Sequence, residues 1–232
     1  MTIKVIKVDR VGSADEATTL EALGAGVIGV DVDVDPRFAD DRTLDAGHVA
    51  RIRQEIRRAK IAVAMNLHAD PAHVVERARL TGADLVQPIT SAIPPHPVRL
   101  ALRDAGIGIV YAGIEISHDD DPGWVFGTYD DTPDLNASLF QVEVLPEYRD
   151  SWAFLRDRSP EFEDEFQIDD LVDLARDRPI TVGLDLTTQN LGEVAAALVT
   201  VQGFTVTLAE RATRADARHR SYVEIVDILK AA

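Results

Sequence analysis

The stretch Ile3-Lys4-Val5-Ile6-Lys7-Val8-Asp9-Arg10 predicts a short β-strand that ends in a carboxylate. Strand side chains alternate between two faces, so Val5, Lys7 and Asp9 share one face. The next residues, Ser13-Ala14-Asp15-Glu16, match the capping box that opens a helix. A carboxylate at the end of a first strand, followed by a helix, is where a barrel enzyme places a catalytic group. The alternative is a solvated Asp in a strand-to-helix turn.

Alternating strand and helix patterns continue from this stretch through the rest of the chain. Seven further strands are predicted at 27–32, 61–67, 84–87, 107–116, 139–144, 180–184 and 204–208. Helices are predicted from the capping box to about 23, and at 44–58, 71–81, 97–106, 168–176, 188–201 and 215–229. Residues 117–136 are predicted as a surface excursion, and 149–167 as a charged stretch with a short helix and a loop.

Such alternation implies parallel strands joined by crossover helices. The strand count and the length of 232 residues favour a single (β/α)₈ TIM barrel over 1–232. The alternative is a doubly wound open sheet. That fold usually has a glycine-rich phosphate turn after its first strand, whereas this chain has Asp9-Arg10-Val11-Gly12.

The composition excludes several classes of protein. The absence of Cys excludes disulfides, thiolate catalysis and Cys-ligated zinc. A formal net charge of −16 without a basic patch argues against nucleic acid as a partner. No run approaches 18 apolar residues, and the N-terminus predicts a strand, so we expect neither a membrane partner nor a secretory signal. We therefore expect a cytoplasmic protein, monomeric or homodimeric, with a small-molecule substrate and no cofactor.

Four segments carry motifs in the order of a known barrel family. They are Lys7-Val8-Asp9-Arg10-Val11-Gly12 with Asp15-Glu16-Ala17, 24–29 with Asp35-Pro36-Arg37-Phe38, Leu85-Val86-Gln87-Pro88-Ile89-Thr90, and the run from Val182 to Leu191. The family motifs are Lys-Ile-Cys-Gly-Ile-Thr with Glu-Asp-Ala, Gly-Ala-Asp-x-Ile-Gly with Ser-Pro-Arg-Tyr, Val-Val-Gln-Leu-His-Gly, and Ala-Gly-Gly-Leu-Asn-Pro-x-Asn-Val. The chain thus resembles the phosphoribosylanthranilate isomerases, barrel enzymes of tryptophan biosynthesis, over nearly its full length.

The resemblance implies roles for several residues, but the functional positions depart from the family pattern. Asp9 stands where the family has its general-base Cys, and Glu143 is nearest to the family's general-acid Asp. Two carboxylates can divide acid and base work when their environments differ. Arg37 takes the place of an Arg that contacts the aromatic carboxylate of the family substrate; the alternative is a salt bridge to a nearby Asp.

The phosphate-binding turns of the family are also changed. Carboxylates occur in all three corresponding turns, at Glu161 and Glu163, at Asp185, and at Glu210. Like charges about 4 Å apart repel by about 1 kcal/mol in water and by more in a cleft, so we expect this chain to have left the parent activity. Arg211 could bind an anion through its side chain instead.

His68, Gln87 and Asp185 lie at or just after the ends of predicted strands, and we expect them to line a substrate site with Arg37 and Arg211. Asp31 and Asp33 could form a divalent-metal site with His68, although an acidic rim is the commoner arrangement, and we assign no metal. Lys7 lies below Asp9 on the same strand face. It is either a paired, buried cation or a Schiff-base lysine.

The sequence therefore predicts a diverged barrel isomerase that performs acid–base chemistry of the aldose–ketose or Amadori type. Its substrate would be a small sugar-derived or polar metabolite of a specialised biosynthetic pathway. Two alternatives stay open: a non-catalytic paralogue that serves as a binding or assembly partner, and a lyase or aldolase on the same scaffold.

Overall fold

A computed structural model of the chain describes residues 5–35, 38, 41–209 and 219–232. Arg37, Glu210 and Arg211 lie outside the described residues. Within the described ranges, nine parallel strands form one sheet in chain order. They are β1 Ile6–Asp9, β2 Val27–Asp31, β3 Lys60–Met65, β4 Leu85–Pro88, β5 Gly108–Ile116, β6 Ala137–Val144, β7 Ile180–Gly183, β8 Gly203–Leu208 and β9 His219–Arg220.

Pairing between β1 and β8 closes the first eight strands into a barrel, with Lys7 opposite Thr205 and Asp9 opposite Thr207. The predicted (β/α)₈ architecture is therefore confirmed, and the open-sheet alternative is wrong. The ninth strand was not predicted. It extends the sheet only at the carboxyl end of β8, where Leu208 pairs with Arg220.

Ten α-helices lie among the described residues, and most of them cover the barrel. They are α1 Ala14–Ala22, α2 Ala46–Glu55, α3 Pro71–Thr81, α4 His96–Asp104, α5 Pro122–Val125, α6 Gly127–Asp130, α7 Ser151–Ala153, α8 Ile168–Leu174, α9 Leu191–Ala197 and α10 Tyr222–Ala231. The Ser13 side chain accepts from the amide of Glu16, so the predicted start of α1 is observed. Asp70 similarly caps α3, which ends at the left-handed Gly82.

Three segments differ from the regular pattern. Between β5 and β6 the chain forms only the four-residue helices α5 and α6. After β6, α7 continues into a π-helical turn, Phe154–Arg158, and a 3₁₀ turn, Ser159–Glu161. The start predicted for the last helix, at 215, lies outside the described residues. Its continuation through 219–221 is wrong, because Ser221 caps a helix that begins at Tyr222.

Strand residues alternate between two cores. One face packs against the helices in the main hydrophobic core. The other face fills the lower barrel interior with Val27, Ala62, Leu85, Val110 and Leu139. Because parallel strands end at the same end of the barrel, polar residues that follow this inner layer along each strand converge at its carboxyl end. The fold thus collects the predicted site residues in one region.

Candidate functional site

Lys7 is the centre of a polar cluster inside the barrel. Its side chain is fully buried, and its ammonium group donates to Asp9, to Gln87 at 2.9 Å and to Gln141 at 2.8 Å. An ammonium group has three protons, and here each has an acceptor. Lys7 is therefore a paired, buried cation, which is the first of the two hypotheses from the sequence.

Gln141 extends this cluster to Glu143. The Gln141 oxygen accepts from Lys7, so its amide nitrogen points the other way and donates to Glu143 Oε1 at 3.1 Å. Lysine can only donate, and this fixes the orientation of the Gln141 amide. Asp9 on β1 and Glu143 on β6 are thus connected through Lys7 and Gln141 across the barrel.

Glycines on the neighbouring strands make room for both carboxylates. A Cβ atom at Gly183, opposite Glu143 on β7, would lie 2.8 Å from the Glu143 carboxyl carbon. A Cβ atom at Gly29 on β2 would lie 3.1 Å from the Asp9 carboxyl carbon. Side chains at either position would displace the carboxylates, so these glycines allow Asp9 and Glu143 to lie over the adjacent strands.

A second ion pair lies beside Asp9. Arg10 donates to Asp31 at 3.0 Å and to the Leu208 carbonyl at 3.1 Å, and its guanidinium carbon lies 3.6 Å from the centre of the Phe38 ring. Arg10 has a left-handed backbone with φ of 64°, which a non-glycine residue adopts only when its surroundings hold it there. Through these contacts, Arg10 connects the carboxyl ends of β1, β2 and β8.

Burial raises the pKa of Asp31 to about 6, against the opposing effect of Arg10 and with a smaller contribution from the nearby charge of Asp9. Asp31 is only 7% exposed. A carboxyl group with such a pKa exchanges protons near neutrality. The cluster at the barrel end thus contains a third carboxylate that the sequence suggested only as a metal ligand.

The residues predicted to bind substrate differ in their surroundings. His68 is exposed after β3, and Gln87 is 8% exposed on β4. Among the described residues, the Gln87 amide nitrogen donates to no acceptor, so it is available to a ligand beside Lys7. Asp185 instead accepts from the Ser151 hydroxyl at 2.9 Å and from the Trp152 amide at 2.7 Å, so its carboxylate holds the turn after β6.

The suggested metal ligands have protein partners. Asp33 accepts from both terminal nitrogens of Arg77, at 3.1 and 2.9 Å, and Asp31 is paired with Arg10. Within the part of the chain that the structure describes, no group of three His, Asp or Glu residues is arranged to hold a metal ion.

Two members of the cluster, Gln141 and Arg10, were not predicted from the sequence. Period two along β6 places Gln141 on the same face as Glu143, so Gln141 could have been found once Glu143 was chosen. Arg10 could not, because its inward position depends on the left-handed backbone. None of the described helices has the length and apolar character that a membrane span requires.

The barrel and its polar cluster define a class: a (β/α)₈ barrel with carboxylates converging at the carboxyl ends of the strands. In fold, the chain is similar to phosphoribosylanthranilate isomerases. The structure from Pyrococcus furiosus has a TM-score of 0.66 at 14% identity, covering 98% of this chain and 97% of that one. The enzyme from Thermus thermophilus has a TM-score of 0.62 at 14% identity, with 98% and 97% covered.

A third structure holds reduced 1-(o-carboxyphenylamino)-1-deoxyribulose 5-phosphate and has a TM-score of 0.62 at 13% identity, with 97% and 96% covered. No family model and no curated protein sequence matches the chain. The predicted resemblance to these barrels is therefore confirmed for the fold, and the low identity agrees with a diverged chain.

Proposed function

We propose that this protein is an acid–base isomerase of the aldose–ketose or Amadori type, acting on a small sugar-derived or polar metabolite. The observation that carries the proposal is the hydrogen-bonded connection from the buried Asp9 through Lys7 and Gln141 to the half-buried Glu143. Such a rearrangement moves a proton between adjacent carbons and needs a second group to protonate the ring oxygen. Two carboxylates held on opposite strands can divide these tasks.

The different partners of the two carboxylates support a division of roles. Asp9 forms an ion pair with Lys7, which suits a base that must start as a carboxylate. Glu143 accepts from the Gln141 amide at the other end of this network, and we assign it the role of the group that donates a proton. Gln87 accepts from Lys7 through its side-chain oxygen, which leaves its amide nitrogen available for a substrate oxygen. These assignments are part of the proposal.

The surroundings of Asp185 support divergence from the parent reaction. Its carboxylate already accepts hydrogen bonds from the Trp152 amide and the Ser151 hydroxyl in the turn after β6. Those donors are therefore unavailable to a phosphate, and a dianion would meet a like charge there. We infer that the substrate carries no phosphate at this turn.

The lyase or aldolase alternative has little support in the geometry. A Schiff-base lysine must present a neutral nitrogen to a carbonyl carbon. Lys7 is fully buried and donates to three acceptors, so no substrate carbon can approach its nitrogen without dismantling the cluster. The non-catalytic alternative is tested directly by the experiment below.

Proton exchange provides the test, because an isomerase of this type exchanges a substrate proton with solvent. The protein is incubated in D₂O with 1-amino-1-deoxyketoses and simple ketoses, and deuterium at C1 is followed by proton NMR. We expect exchange with at least one probe, and a decrease of about 10²–10⁴-fold in Asp9→Asn and in Glu143→Gln.

The matched control is Glu55→Gln, an exposed residue at the end of α2 and close in sequence to the start of β3, at the opposite end of the barrel. It should exchange at the wild-type rate. If no probe exchanges, or if both site variants keep the wild-type rate, the isomerase proposal fails and the binding-protein alternative stands.

A further inference from the structure

A cavity of about 510 Å³ lies on the outside of the barrel, between the loop that precedes α4 and the helix α6. Its wall combines apolar groups, such as Ile93 and Pro94, with the polar side chains of Arg99, Thr128 and Tyr129. Tyr129 belongs to the main hydrophobic core, which lies between the sheet and the helices. The cavity is therefore separate from the polar cluster inside the barrel.

The Tyr129 side chain presents a hydrogen-bond donor to this cavity. Tyr129 is only 8% exposed, and its ring centre lies 5.4 Å from that of Tyr111 and 5.5 Å from that of Phe140. Among the described residues, the Tyr129 hydroxyl has no hydrogen-bond partner, whereas the Tyr111 hydroxyl donates to the Leu135 carbonyl at 2.7 Å. Burial raises the pKa of Tyr129, so its hydroxyl keeps the proton at neutral pH. Because a buried hydroxyl normally has a partner, a ligand in the cavity would supply the missing acceptor.

Arg99 places a positive charge at the same cavity. It is 5% exposed, and its guanidinium donates to three backbone carbonyls, those of Pro94, of Pro133 at 2.9 Å and of Asp134 at 3.1 Å. Within the part of the chain that the structure describes, no carboxylate pairs with Arg99, and the Asp134 carboxylate instead lies 3.4 Å from Arg103. A guanidinium has five N–H groups, so two of them remain for another acceptor. Since buried charges are normally paired, this cation favours an anion in the cavity.

The N-terminus of α4 contributes in the same direction. This helix begins at His96, and both Pro94 and the N-cap residue Pro95 line the cavity. Proline has no side-chain acceptor with which to cap the first amides of a helix. The positive end of the helix therefore adds to the attraction that Arg99 exerts on an anion.

We propose that this cavity binds the carboxylate of a small aliphatic acid, with Arg99 and Tyr129 as its donors. One buried cation matches a monoanion, whereas a phosphate dianion would bring a further negative charge into a chain of net charge −16. A carboxylate has two oxygens, so it can accept from the guanidinium and from the hydroxyl together. Ile93 and Pro94 provide apolar contacts for the body of the acid. The inference is independent of the proposed isomerase activity, because the cavity lies outside the candidate active site.

Titration calorimetry with three probes tests this assignment: cyclohexanecarboxylate, its neutral isostere cyclohexanecarboxamide, and inorganic phosphate. We expect the wild-type protein to bind the carboxylate about tenfold or more tightly than the other two, since only this probe combines a single charge with an apolar body. Tyr129→Phe should weaken carboxylate binding by about tenfold or more, because one charge-assisted hydrogen bond is lost. The hydroxyl has no partner among the described residues, so this variant should unfold at the same urea concentration as the wild type.

The matched control is Tyr222→Phe, which removes a hydroxyl from α10, beside β8, and should bind the carboxylate like the wild type. Arg99→Met should abolish the preference for the carboxylate over the amide. If that variant does not fold, Tyr129→Phe decides alone. The assignment is overturned if the wild-type protein binds the amide or phosphate as tightly as the carboxylate, if it binds no carboxylate, or if Tyr129→Phe keeps the wild-type affinity.

Discussion

The ammonium nitrogen of Lys7 lies 2.8 Å from the side-chain oxygen of Gln141, although the two residues are 134 positions apart. This contact spans the barrel interior and orients an amide that reaches Glu143. It joins the two carboxylates of the proposed mechanism in one network, in which Asp9 is buried and Glu143 half-buried. Such networks are strongly coupled, so removing one member affects the others.

Replacing Lys7 by Met should destabilise the protein by about 3–5 kcal/mol, because Asp9 would be left as an unpaired buried charge. Urea unfolding measures this loss. The double variant Lys7→Met with Asp9→Asn should recover a large part of it. Strictly additive losses in the double-mutant cycle would show that the ion pair contributes nothing to the fold.

Gly183→Ala should lower the proton-exchange rate by about 10²-fold while the barrel still folds. The added Cβ would lie 2.8 Å from the Glu143 carboxyl carbon, and a displacement of about 1 Å is enough for such a loss. Gly192→Ala is the control, because nothing lies within 4 Å of a Cβ there. Equal rates in both variants would mean that the position of Glu143 is unimportant for the reaction.

The Asp31 carboxyl should titrate near pH 6, where carbon NMR of the carboxyl signal can follow it, because burial raises its pKa to about 6. Since the folded protein holds this proton more tightly than the unfolded chain, stability should fall as the pH rises from about 4 to about 6. The full difference is about 3 kcal/mol.

Urea unfolding across that pH range measures the slope, and Asp31→Asn should flatten it. Asn stays neutral across this range, so the variant lacks only the Arg10–Asp31 ion pair that forms once Asp31 ionises. An Asp31 midpoint near 4, or an unchanged slope in the variant, would contradict the assignment.

Purified protein should show no useful turnover of phosphoribosylanthranilate, and its gene should not rescue a tryptophan auxotroph that lacks this isomerase. The physical reason is the Asp185 carboxylate. It accepts the hydrogen bonds that donors in the turn after β6 would otherwise offer to a phosphate. A genuine phosphoribosylanthranilate isomerase serves as the positive control in the same assays. Rescue at ordinary expression levels would show that the parent activity has been retained.

The sequence alone was sufficient for the architecture. Apolar β-branched runs, helix caps such as Ser13 and Asp70, and the terminating Gly82 predict each unit of the barrel from interactions within a few residues. Because parallel strands share one carboxyl end, strand order also predicted that Asp9, Gln87 and Glu143 would converge. Local periodicity carries this information without any knowledge of the closed sheet.

Only the tertiary structure decided how those residues are used. Gln141 joins the polar cluster because barrel closure brings it to Lys7. Asp185 was predicted to contact substrate, and the structure shows that its carboxylate accepts from the Ser151 hydroxyl, 34 positions earlier. Strand register and barrel closure join strands that are far apart in the chain. One extra residue in a strand reverses the face of every side chain that follows. No local pattern of residues encodes either effect.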